Sequence, residues 1–331
     1  MNKPRLVYYD VLQFQPENRH LLDSHFAVST LPSPDADTPD LLAQADVCFA
    51  PLGYYFGREK IDACKRLQVI ASSTTGEQHI DVTYATGRKI AVFSLKGERA
   101  FLRQITPTAE LTIALIVNVM RNMYPAYQSV LQGRWNRRPF GATKMLSRCT
   151  LGIAGFGRLG SMVGRYGRAM GMRVLTFDDK LRAEEPGMHR CETLEEMLPQ
   201  CDVVSLHLPY EAGQPPRFDR AMLGRMRPGA YLVNTARGEL IDDRALIALL
   251  ESGHIKGAAT DALAGEFVPG FEHQVETHPL VRYARSHPNL LITPHIGGST
   301  RDAWHDTEAH TIERIMRHLD TENITNRREL G

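Results

Sequence analysis

Short apolar runs alternate with longer stretches of helical character along most of this 331-residue chain. Such runs, bounded by Gly, Asp or Pro, are typical of parallel strands that are buried on both faces of a sheet. Strand–helix alternation with short links predicts βαβ units, and hence an α/β fold with two doubly wound parallel sheets. The predicted strands are RLVYYD, DVCFA, LQVIASS and IAVFS in the first third, and LGIAGFG, RVLTFD, VVSLHL, AYLVNTA, GAATDA and NLLIT from residue 150 onward.

One helical segment, residues 106–124, lies between the two sets of strands. Thr108 is a candidate N-cap, and apolar residues cover the predicted helix nearly all round, so the helix should be buried on several sides. We place it at an interface between domains or between subunits. Residues 125–149 carry little helical or strand pattern and are predicted to form an irregular arm.

The length is sufficient for two domains of roughly 150 residues each. A final helix, predicted from Arg301 to Leu319, is long enough to return to the first sheet. We therefore predict a discontinuous first domain, residues 1–105 plus 298–331. The second domain is residues 106–297, including the helix and arm at 106–149.

Charge and composition argue against several classes of function. Lys+Arg total 39 and Asp+Glu total 38, so no net field favours nucleic acid or an anionic membrane. The amino terminus lacks the apolar run of a signal peptide, and the most apolar segment, Leu111 to Met120, is about half the length that spans a bilayer. Five scattered cysteines without a Cys-x-x-Cys pair indicate reduced thiols in a cytoplasmic protein, with neither a disulfide framework nor a zinc site.

The segment LGIAGFGRLG, residues 151–160, predicts a dinucleotide site. Gly155, Gly157 and Gly160 form a Gly-x-Gly-x-x-Gly pattern directly after an apolar strand and before a helix that runs to about Met170. The first glycine permits a tight turn, the second lets the backbone approach a pyrophosphate, and the third permits close helix–strand packing. The helix amino terminus adds amide donors and a partial positive charge. Without strand and helix on either side, the pattern would suit an ordinary glycine-rich turn equally well.

The next predicted strand, RVLTFD, ends in Asp178, 18 positions beyond Gly160. A carboxylate there accepts hydrogen bonds from both hydroxyls of an adenosine ribose and repels a 2′-phosphate, so NAD is favoured over NADP. Lys180, two positions later, points the other way, because a nearby cation would accommodate that phosphate.

Polar residues follow later strands, at the carboxyl ends where open α/β sheets bind ligands. Arg237 in YLVNTARGELID can bind a carboxylate bidentately, or it pairs with a surface acid such as Glu239 or Asp242. Asp261 and Glu266 in GAATDALAGEF are either site carboxylates or solvated loop acids.

His295 in ITPHIGGST is either an acid/base catalyst or a polar residue where a strand gives way to a glycine turn. Oxidation of a 2-hydroxy acid removes a hydroxyl proton while hydride leaves the same carbon for a nicotinamide. Histidine suits that proton transfer, since its charge changes near neutral pH, and a carboxylate on its other nitrogen fixes the tautomer. A cation must hold the substrate carboxylate and polarise the carbonyl. Histidine, glutamate and arginine fill these three roles.

The order of these motifs closely resembles the D-isomer-specific 2-hydroxyacid dehydrogenases, a family that includes phosphoglycerate, glycerate/hydroxypyruvate and D-lactate dehydrogenases. The resemblance covers nearly the whole chain and is dense from 150 to 300. It implies a flavodoxin-like substrate domain and a Rossmann NAD domain with a cleft between them, a small 2-hydroxy or 2-oxo acid as substrate, and a homodimer formed through residues 106–149. The motifs that carry it are GFGRLG, Asp178, VVSLHLP, NTARGELID, GAATDA with Glu266, and LITPHIGGST.

The resemblance also assigns roles to single residues. It implies that Arg237 binds the substrate carboxylate and carbonyl oxygen, and that His295, paired with Glu266, is the proton donor or acceptor. Asp261 would face the nicotinamide carboxamide. The remaining implied cofactor contacts are Arg158 and Leu159 at the pyrophosphate, His207 and Pro209 on the adenine side, and Thr108, Thr235, Ala236, Gly297 and Gly298.

In the predicted first domain, STTGEQHID resembles the family's glycine loop, which implies that backbone amides near Thr75, Gly76 and Glu77 receive the substrate carboxylate. Glu77 is unusual there and would discourage a second anionic group nearby. The later loop VFSLKGERAFLRQITPTAEL is longer than the family's usual link. Its cations would select a phosphorylated or dicarboxylate substrate, or they form a solvated basic surface: Lys96, Arg99 and Arg103.

Other functions remain open on sequence grounds. Phe267 follows Glu266 where the family usually has proline. Formate dehydrogenases resemble this family with glutamine in place of the glutamate, so Glu266 argues against them, whereas phosphite oxidation would use the same three groups. An NAD-sensing corepressor would keep the fold, although no recognition tail is evident. A metal-dependent hydrolase is disfavoured and no metal is predicted, because His305 and His310 are five apart and lack HExxH spacing.

Overall fold

The computed structural model describes residues 3–180, 185–268 and 270–329. The chain divides into two compact units. The first comprises Met1–Ile105, Phe267–Gly270 and Ser299–Gly331, and the second comprises Thr106–Glu266 and Phe271–Gly298. The segment Phe267–Gly270 thus groups with the first unit, whereas the sequence divides the chain at 105 and 298 alone. The terminal residues of the predicted first domain, 1 and 331, lie outside the described residues.

The first unit contains five parallel strands, β1 (Arg5–Tyr9), β2 (Ala27–Leu31), β3 (Val47–Phe49), β4 (Val69–Ala71) and β5 (Ala91–Phe93). Their order is β2-β1-β3-β4-β5. Alternate residues of β1 enter two different apolar clusters, Leu6 and Tyr8 on one face and Val7 and Tyr9 on the other. Strand β2 was not predicted, because this edge strand is half-exposed and lacks the continuous apolar run of a strand buried on both faces.

Among the described residues, four helices link these strands and a fifth follows β5: α1 (Pro16–His25), α2 (Pro39–Ala43), α3 (Arg58–Ala63), α4 (Val82–Gly87) and then α5 (Arg99–Leu102). Side-chain caps start two of them. The Thr38 hydroxyl accepts from Leu41 N–H ahead of α2, and Asp81 accepts from Tyr84 N–H ahead of α4.

In the second unit the described residues form seven parallel strands, β6 (Thr150–Ala154), β7 (Arg173–Phe177), β8 (Met188–Arg190), β9 (Val203–Leu206), β10 (Ala230–Asn234), β11 (Ile255–Thr260) and β12 (Leu290–Ile292). Their order is β12-β11-β10-β9-β6-β7-β8. Strand β8, at the edge, was also missed, since its sequence MHR carries no apolar run. The two parallel sheets confirm the predicted α/β class.

The described part of this unit contains seven α-helices: α6 (Pro107–Met120), α7 (Met123–Leu131), α8 (Arg158–Ala169), α9 (Leu194–Met197), α10 (Arg220–Leu223), α11 (Asp243–Glu251) and α12 (Pro279–Ala284). Two sequence predictions were wrong. Thr108 is not the N-cap of α6, because Pro107 already occupies the first helical position and Thr106 precedes it. The arm at 125–149 is not wholly irregular, since α7 continues to Leu131.

The buried face of α6 lies in the core of the second unit, where Leu115, Ile116 and Val119 pack with Ile153 and Val233. Among the described residues, one stretch, Arg99–Met120, is long and apolar enough to cross a membrane by length and composition alone. A core helix passes the same test, and the packing of α6 accounts for its apolar sequence.

The last helix, α13 (Arg301–Glu329), belongs to the first unit. Its Ile312, Ile315 and Leu319 pack in one cluster with Leu6 and Phe49 of the first sheet. The helix extends beyond the predicted end at Leu319. The continuation was not predicted, because the sequence after Leu319 is mostly polar and carries no apolar periodicity.

Candidate functional site

Strand β6 leads into a turn in which packing against the protein's own backbone requires glycine at two positions. Gly155 has φ +101°, and a Cβ there would lie 2.4 Å from the carbonyl carbon of His207. A Cβ on Gly160 would lie 2.0 Å from the Gly155 carbonyl oxygen. Any side chain at either position would therefore push β6, α8 and the segment after β9 apart.

Gly157 differs from these two glycines. Its backbone is extended, with φ −84° and ψ −153°, and a Cβ there would meet no atom within 4 Å. Packing within the protein does not explain glycine here, whereas close approach of a pyrophosphate to the backbone would. The space before the first turn of α8, where Arg158 and Leu159 present helix N-terminal amides, suits such a group.

Asp178 directly follows β7, and its Oδ1 accepts from the Lys180 backbone N–H at 2.9 Å. The neighbouring Asp179 is held by Arg217, 2.6 Å from Nη2 to Oδ1. The Lys180 backbone therefore supports the carboxylate at this strand end. This arrangement fits the ribose-binding role predicted for Asp178.

His207 and Pro209 follow β9, the strand that neighbours β6 on the side opposite β7. The chain reverses its direction of winding here, which is where doubly wound sheets bind ligands. His207 N–H donates to the Ala154 carbonyl at 2.7 Å, and its Nε2 lies 2.8 Å from Ser205 Oγ. Burial lowers the pKa of His207 to about 4, so its ring is neutral at physiological pH. Pro209 is exposed.

Asn234 shapes the turn that carries Arg237. At the end of β10, its Oδ1 accepts from Ala236 N–H at 3.0 Å and its Nδ2 donates to the Arg237 carbonyl at 2.8 Å. The Arg237 guanidinium donates to the Ala236 carbonyl at 2.7 Å. Asn234 was not among the predicted site residues, although an asparagine at a strand end is a typical turn residue.

Thr235 contacts helix α6. Its Oγ1 is 2.7 Å from Thr112 Oγ1, and the Thr112 hydroxyl donates to the Thr108 carbonyl at 2.7 Å. A Cβ on Gly297 would lie 3.1 Å from Thr108 Cγ2. Three of the predicted cofactor residues, Thr108, Thr235 and Gly297, are thus brought together, while Gly298 is exposed.

Asp261 is 3% exposed, which corrects the alternative that it is a solvated loop acid. Its carboxylate accepts from Thr293 Oγ1 at 2.6 Å, from Ile296 N–H at 2.9 Å and from Gly297 N–H at 2.7 Å. It therefore ties the end of β11 to the turn around His295. That turn holds His295 at φ +51°, a left-handed conformation that non-glycine residues adopt uncommonly and that is found at functional sites.

His295 and Glu266 form a close pair. His295 Nδ1 lies 2.8 Å from Glu266 Oε1, and the carboxylate is 10% exposed against 38% for the imidazole. Glu266 Oε2 also accepts from Leu263 N–H at 3.4 Å. With Nδ1 on the buried carboxylate, Nε2 occupies the opposite edge of the ring. This is the orientation in which a histidine exchanges a proton through Nε2 while a carboxylate fixes its tautomer.

Gly238 and Glu239 join the Arg237 turn to the Glu266 loop. A Cβ on Gly238 would lie 2.1 Å from both Ala264 N and the Leu263 carbonyl carbon. Glu239 Oε1 accepts from Gly265 N–H at 3.0 Å, so one of the acids proposed as a partner of Arg237 has a structural role instead. The other, Asp242, caps α11 by accepting from Arg244 and Ala245 N–H. The roles of Gly238 and Glu239 were not predicted, because their contact with residues 263–265 leaves no local pattern in the sequence.

A second histidine–carboxylate pair lies near this loop. His278 Nε2 is 3.4 Å from Asp243 Oδ2, and the side chains are 8% and 16% exposed. Burial lowers the pKa of His278, which a hydrogen bond to the Ala264 backbone opposes. Burial, followed by the charges of Asp242 and Glu239, raises the pKa of Asp243 to about 6. For both groups the cost of burying a charge is the largest effect on the pKa, and it favours the neutral forms of Asp243 and His278.

The raised pKa of Asp243 predicts a pH-dependent gain in stability for Asp243→Asn. The native carboxyl titrates near 6 and the unfolded one near 3.8, so its stabilising protonated state is lost as pH rises through that window. At pH 8 the variant should be more stable than the natural chain by up to about 3 kcal/mol. The difference in the free energy of unfolding between the variant and the natural chain should shrink towards pH 4. Urea unfolding at pH 4 and pH 8 measures it. An equal gap at both would contradict the assignment.

In the first unit, Thr75 is exposed and the loop around it is fixed by hydrogen bonds. The Thr74 hydroxyl donates to the Gly76 carbonyl at 2.8 Å, and Leu95 N–H donates to the Thr74 carbonyl at 2.8 Å. Glu77 accepts from Ser94 Oγ at 2.6 Å and from Lys96 Nζ at 2.7 Å. Glu77 and Lys96, which the sequence suggests have opposite effects on a second anionic group of the substrate, therefore form an ion pair.

The family model for the D-isomer specific 2-hydroxyacid dehydrogenase, NAD binding domain, matches residues 113–297. The chain is 30% identical over 284 residues to the D-3-phosphoglycerate dehydrogenase of Bacillus subtilis, covering 85% of this chain and 51% of that protein. It is 30% identical over 259 residues to the hydroxypyruvate reductase of Thermotoga maritima, covering 78% of this chain and 80% of that protein.

Among solved structures, D-lactate dehydrogenase from Aquifex aeolicus, complexed with NAD and lactic acid, has a TM-score of 0.80 at 24% identity, with 96% of each chain covered. This likeness shows the shared fold. The chain spans about half the length of the D-3-phosphoglycerate dehydrogenases of Bacillus subtilis and Methanocaldococcus jannaschii, 51% and 52%. Because the family model matches more than half of the chain, the protein belongs to the D-isomer specific 2-hydroxyacid dehydrogenase family, and its second unit carries the family's NAD-binding domain.

Proposed function

We propose that this protein is an NAD-dependent D-2-hydroxyacid dehydrogenase, which interconverts a 2-hydroxy acid and NAD⁺ with a 2-oxo acid, NADH and a proton. The observation that carries the proposal is the pair of His295 and Glu266, whose Nδ1 and Oε1 atoms are 2.8 Å apart. Glu266 lies on a loop that contacts the turn of Arg237. Oxidation of a 2-hydroxy acid requires a group that accepts the hydroxyl proton and a cation that binds the carboxylate, and these two groups lie on adjoining segments.

In this proposal His295 accepts the hydroxyl proton of the 2-hydroxy acid at Nε2 and returns it to the carbonyl oxygen in the reverse direction. Glu266 holds the ring through Nδ1 and stabilises the imidazolium. Arg237 binds the substrate carboxylate and polarises the carbonyl oxygen. We propose that the first unit is the substrate domain and that backbone amides near Thr75, Gly76 and Glu77 in it bind the substrate carboxylate.

NAD, when bound, supplies the hydride acceptor or donor. We propose that the amides at Gly157, Arg158 and Leu159 bind its pyrophosphate and that Asp178 binds the adenosine ribose. Asp178 would repel a 2′-phosphate, which favours NAD over NADP. The other proposed contacts are Gly155, Gly160, His207, Pro209, Thr108, Thr235, Ala236, Asp261, Gly297 and Gly298.

We further propose a homodimer formed through residues 106–149, which comprise the predicted helix and the arm at 125–149. The arm exposes large apolar side chains, including Tyr127 at 59%, Leu131 at 64% and Trp135 at 92%, and exposed apolar patches mark interaction sites. A cytoplasmic location without nucleic-acid or membrane partners is supported by the balanced charge and by five buried free cysteines.

Oxidation of NADH and of NADPH with a panel of 2-oxo acids tests the function. We expect turnover of at least one of glyoxylate, pyruvate, hydroxypyruvate and 3-phosphohydroxypyruvate, with NADH preferred. Tight NADH binding without any turnover would favour a sensing protein instead. Oxidation of phosphite or formate in place of every 2-hydroxy acid would assign the same residues to a small-anion dehydrogenase.

A further inference from the structure

We infer that the substrate carries a single negative charge, the reacting carboxylate, and that Glu77 determines this specificity by neutralising Lys96. The inference rests on the proposed function, in which the loop at 75–77 binds the substrate carboxylate. It excludes phosphorylated and dicarboxylic 2-oxo acids as preferred substrates, although several relatives are D-3-phosphoglycerate dehydrogenases.

Glu77 and Lys96 lie on two loops that leave the sheet at the same edge. The loop of Glu77 follows β4, and that of Lys96 follows β5, its parallel neighbour. The carboxyl ends of parallel strands form the ligand-binding edge of an open α/β sheet. The charges of this edge therefore act on whatever the loop at 75–77 binds.

Glu77 depends on the ion pair more than Lys96 does, because its carboxylate is the less exposed of the two groups. Its side chain is 15% exposed, against 70% for Lys96. A carboxylate so far removed from water needs its partners, which are Lys96 Nζ at 2.7 Å and Ser94 Oγ at 2.6 Å. If Lys96 turned to a substrate phosphate, Glu77 would lose its counter-charge and face the new anion as a buried negative charge. The pair thus offers a second anionic group no net attraction.

The loop of Lys96 is anchored, so the pair is a fixed feature. Glu98 accepts from His310 Nε2 at 2.9 Å and pairs with Arg314 Nη2 at 3.3 Å, both on α13. The Phe101 ring stacks on His310 with centroids 3.9 Å apart, and the Arg314 guanidinium donates to the Ser94 carbonyl. The Arg314 cation that α13 brings to this loop is therefore already matched by Glu98.

Two exposed cations, Arg99 and Arg103, lie at the start of α5 and directly after it. They offer the rival explanation, in which the long loop attracts a phosphate or second carboxylate. Removing the Glu77 charge and removing these two cations have opposite predicted effects on substrate choice, so variants separate the two explanations.

The test compares kcat/KM for hydroxypyruvate and 3-phosphohydroxypyruvate, which differ by a phosphate. We expect the natural chain to prefer hydroxypyruvate, and Glu77→Gln to shift the ratio towards the phosphorylated substrate by about tenfold or more, the change expected from about 1.4 kcal/mol. Gln keeps an acceptor for Ser94 and frees Lys96. The matched double variant, Glu77→Gln with Lys96→Met, should shift the ratio back, because the freed cation is gone.

Where turnover of the phosphorylated substrate is below detection, its Ki against hydroxypyruvate gives the same ratio. Preference of the natural chain for 3-phosphohydroxypyruvate, or an unchanged ratio in Glu77→Gln with an unchanged melting temperature, would overturn the inference. Loss of that preference in Arg99→Gln with Arg103→Gln would assign selection to those cations. If neither substrate nor any other 2-oxo acid is consumed while NADH binds, the proposed function itself has failed.

Discussion

Replacement of His295 by alanine is expected to lower kcat by about 10²–10⁴-fold, the usual contribution of a positioned acid/base. The imidazole is the group that we propose exchanges the substrate proton, and its Nδ1 is already committed to Glu266 at 2.8 Å. Affinity for NADH should change little, because the glycine turn and Asp178 are untouched. Steady-state reduction of a 2-oxo acid and fluorescence titration with NADH measure the two quantities.

The control for this variant is His273→Ala, which removes a histidine whose side chain is 82% exposed and which should leave kcat unchanged. Loss of NADH affinity together with kcat in His295→Ala would indicate a structural role, since the strained turn at φ +51° also borders the proposed cofactor contacts. Retained turnover would remove His295 from the mechanism.

The second large effect is expected for Gly238→Ala. The new methyl group would lie 2.1 Å from backbone atoms of Leu263 and Ala264, and backbone cannot yield as a flexible side chain does. Overpacking of this kind costs about 1–3 kcal/mol of stability. Displacement of the loop also moves Glu266 and its partner His295, and a shift of about 1 Å costs about 10²-fold in rate.

The matched control is Gly87→Ala at the end of α4, where a Cβ meets no atom within 4 Å. That variant should be neutral or slightly stabilising. Urea unfolding and kcat are measured for both variants. If Gly238→Ala retains both full stability and full activity, the contact between the Arg237 turn and the Glu266 loop does not position the site.

Prediction from sequence succeeded where the physical cause is local. The central strands β3, β4 and β9 are buried along their whole length, so their residues must be apolar in one run. The edge strands β2 and β8 have no such requirement and were missed. The end of α6 and the start of α7 were also missed, because apolar residues continue on both sides of the break near Arg121.

Residue order was enough to predict the α/β class, the glycine turn, and Arg237, Glu266 and His295 as candidate site residues, because each of these stands in a motif that follows a predicted strand. The partner of each buried or half-buried carboxylate could be read only from the fold. Asp261 is buried beneath the His295 turn, Glu239 holds the Glu266 loop, and Glu77 neutralises Lys96. These partners are separated along the chain by 19 to 36 residues. Their interaction depends on burial and on angstrom-scale distances, which residue order alone does not specify.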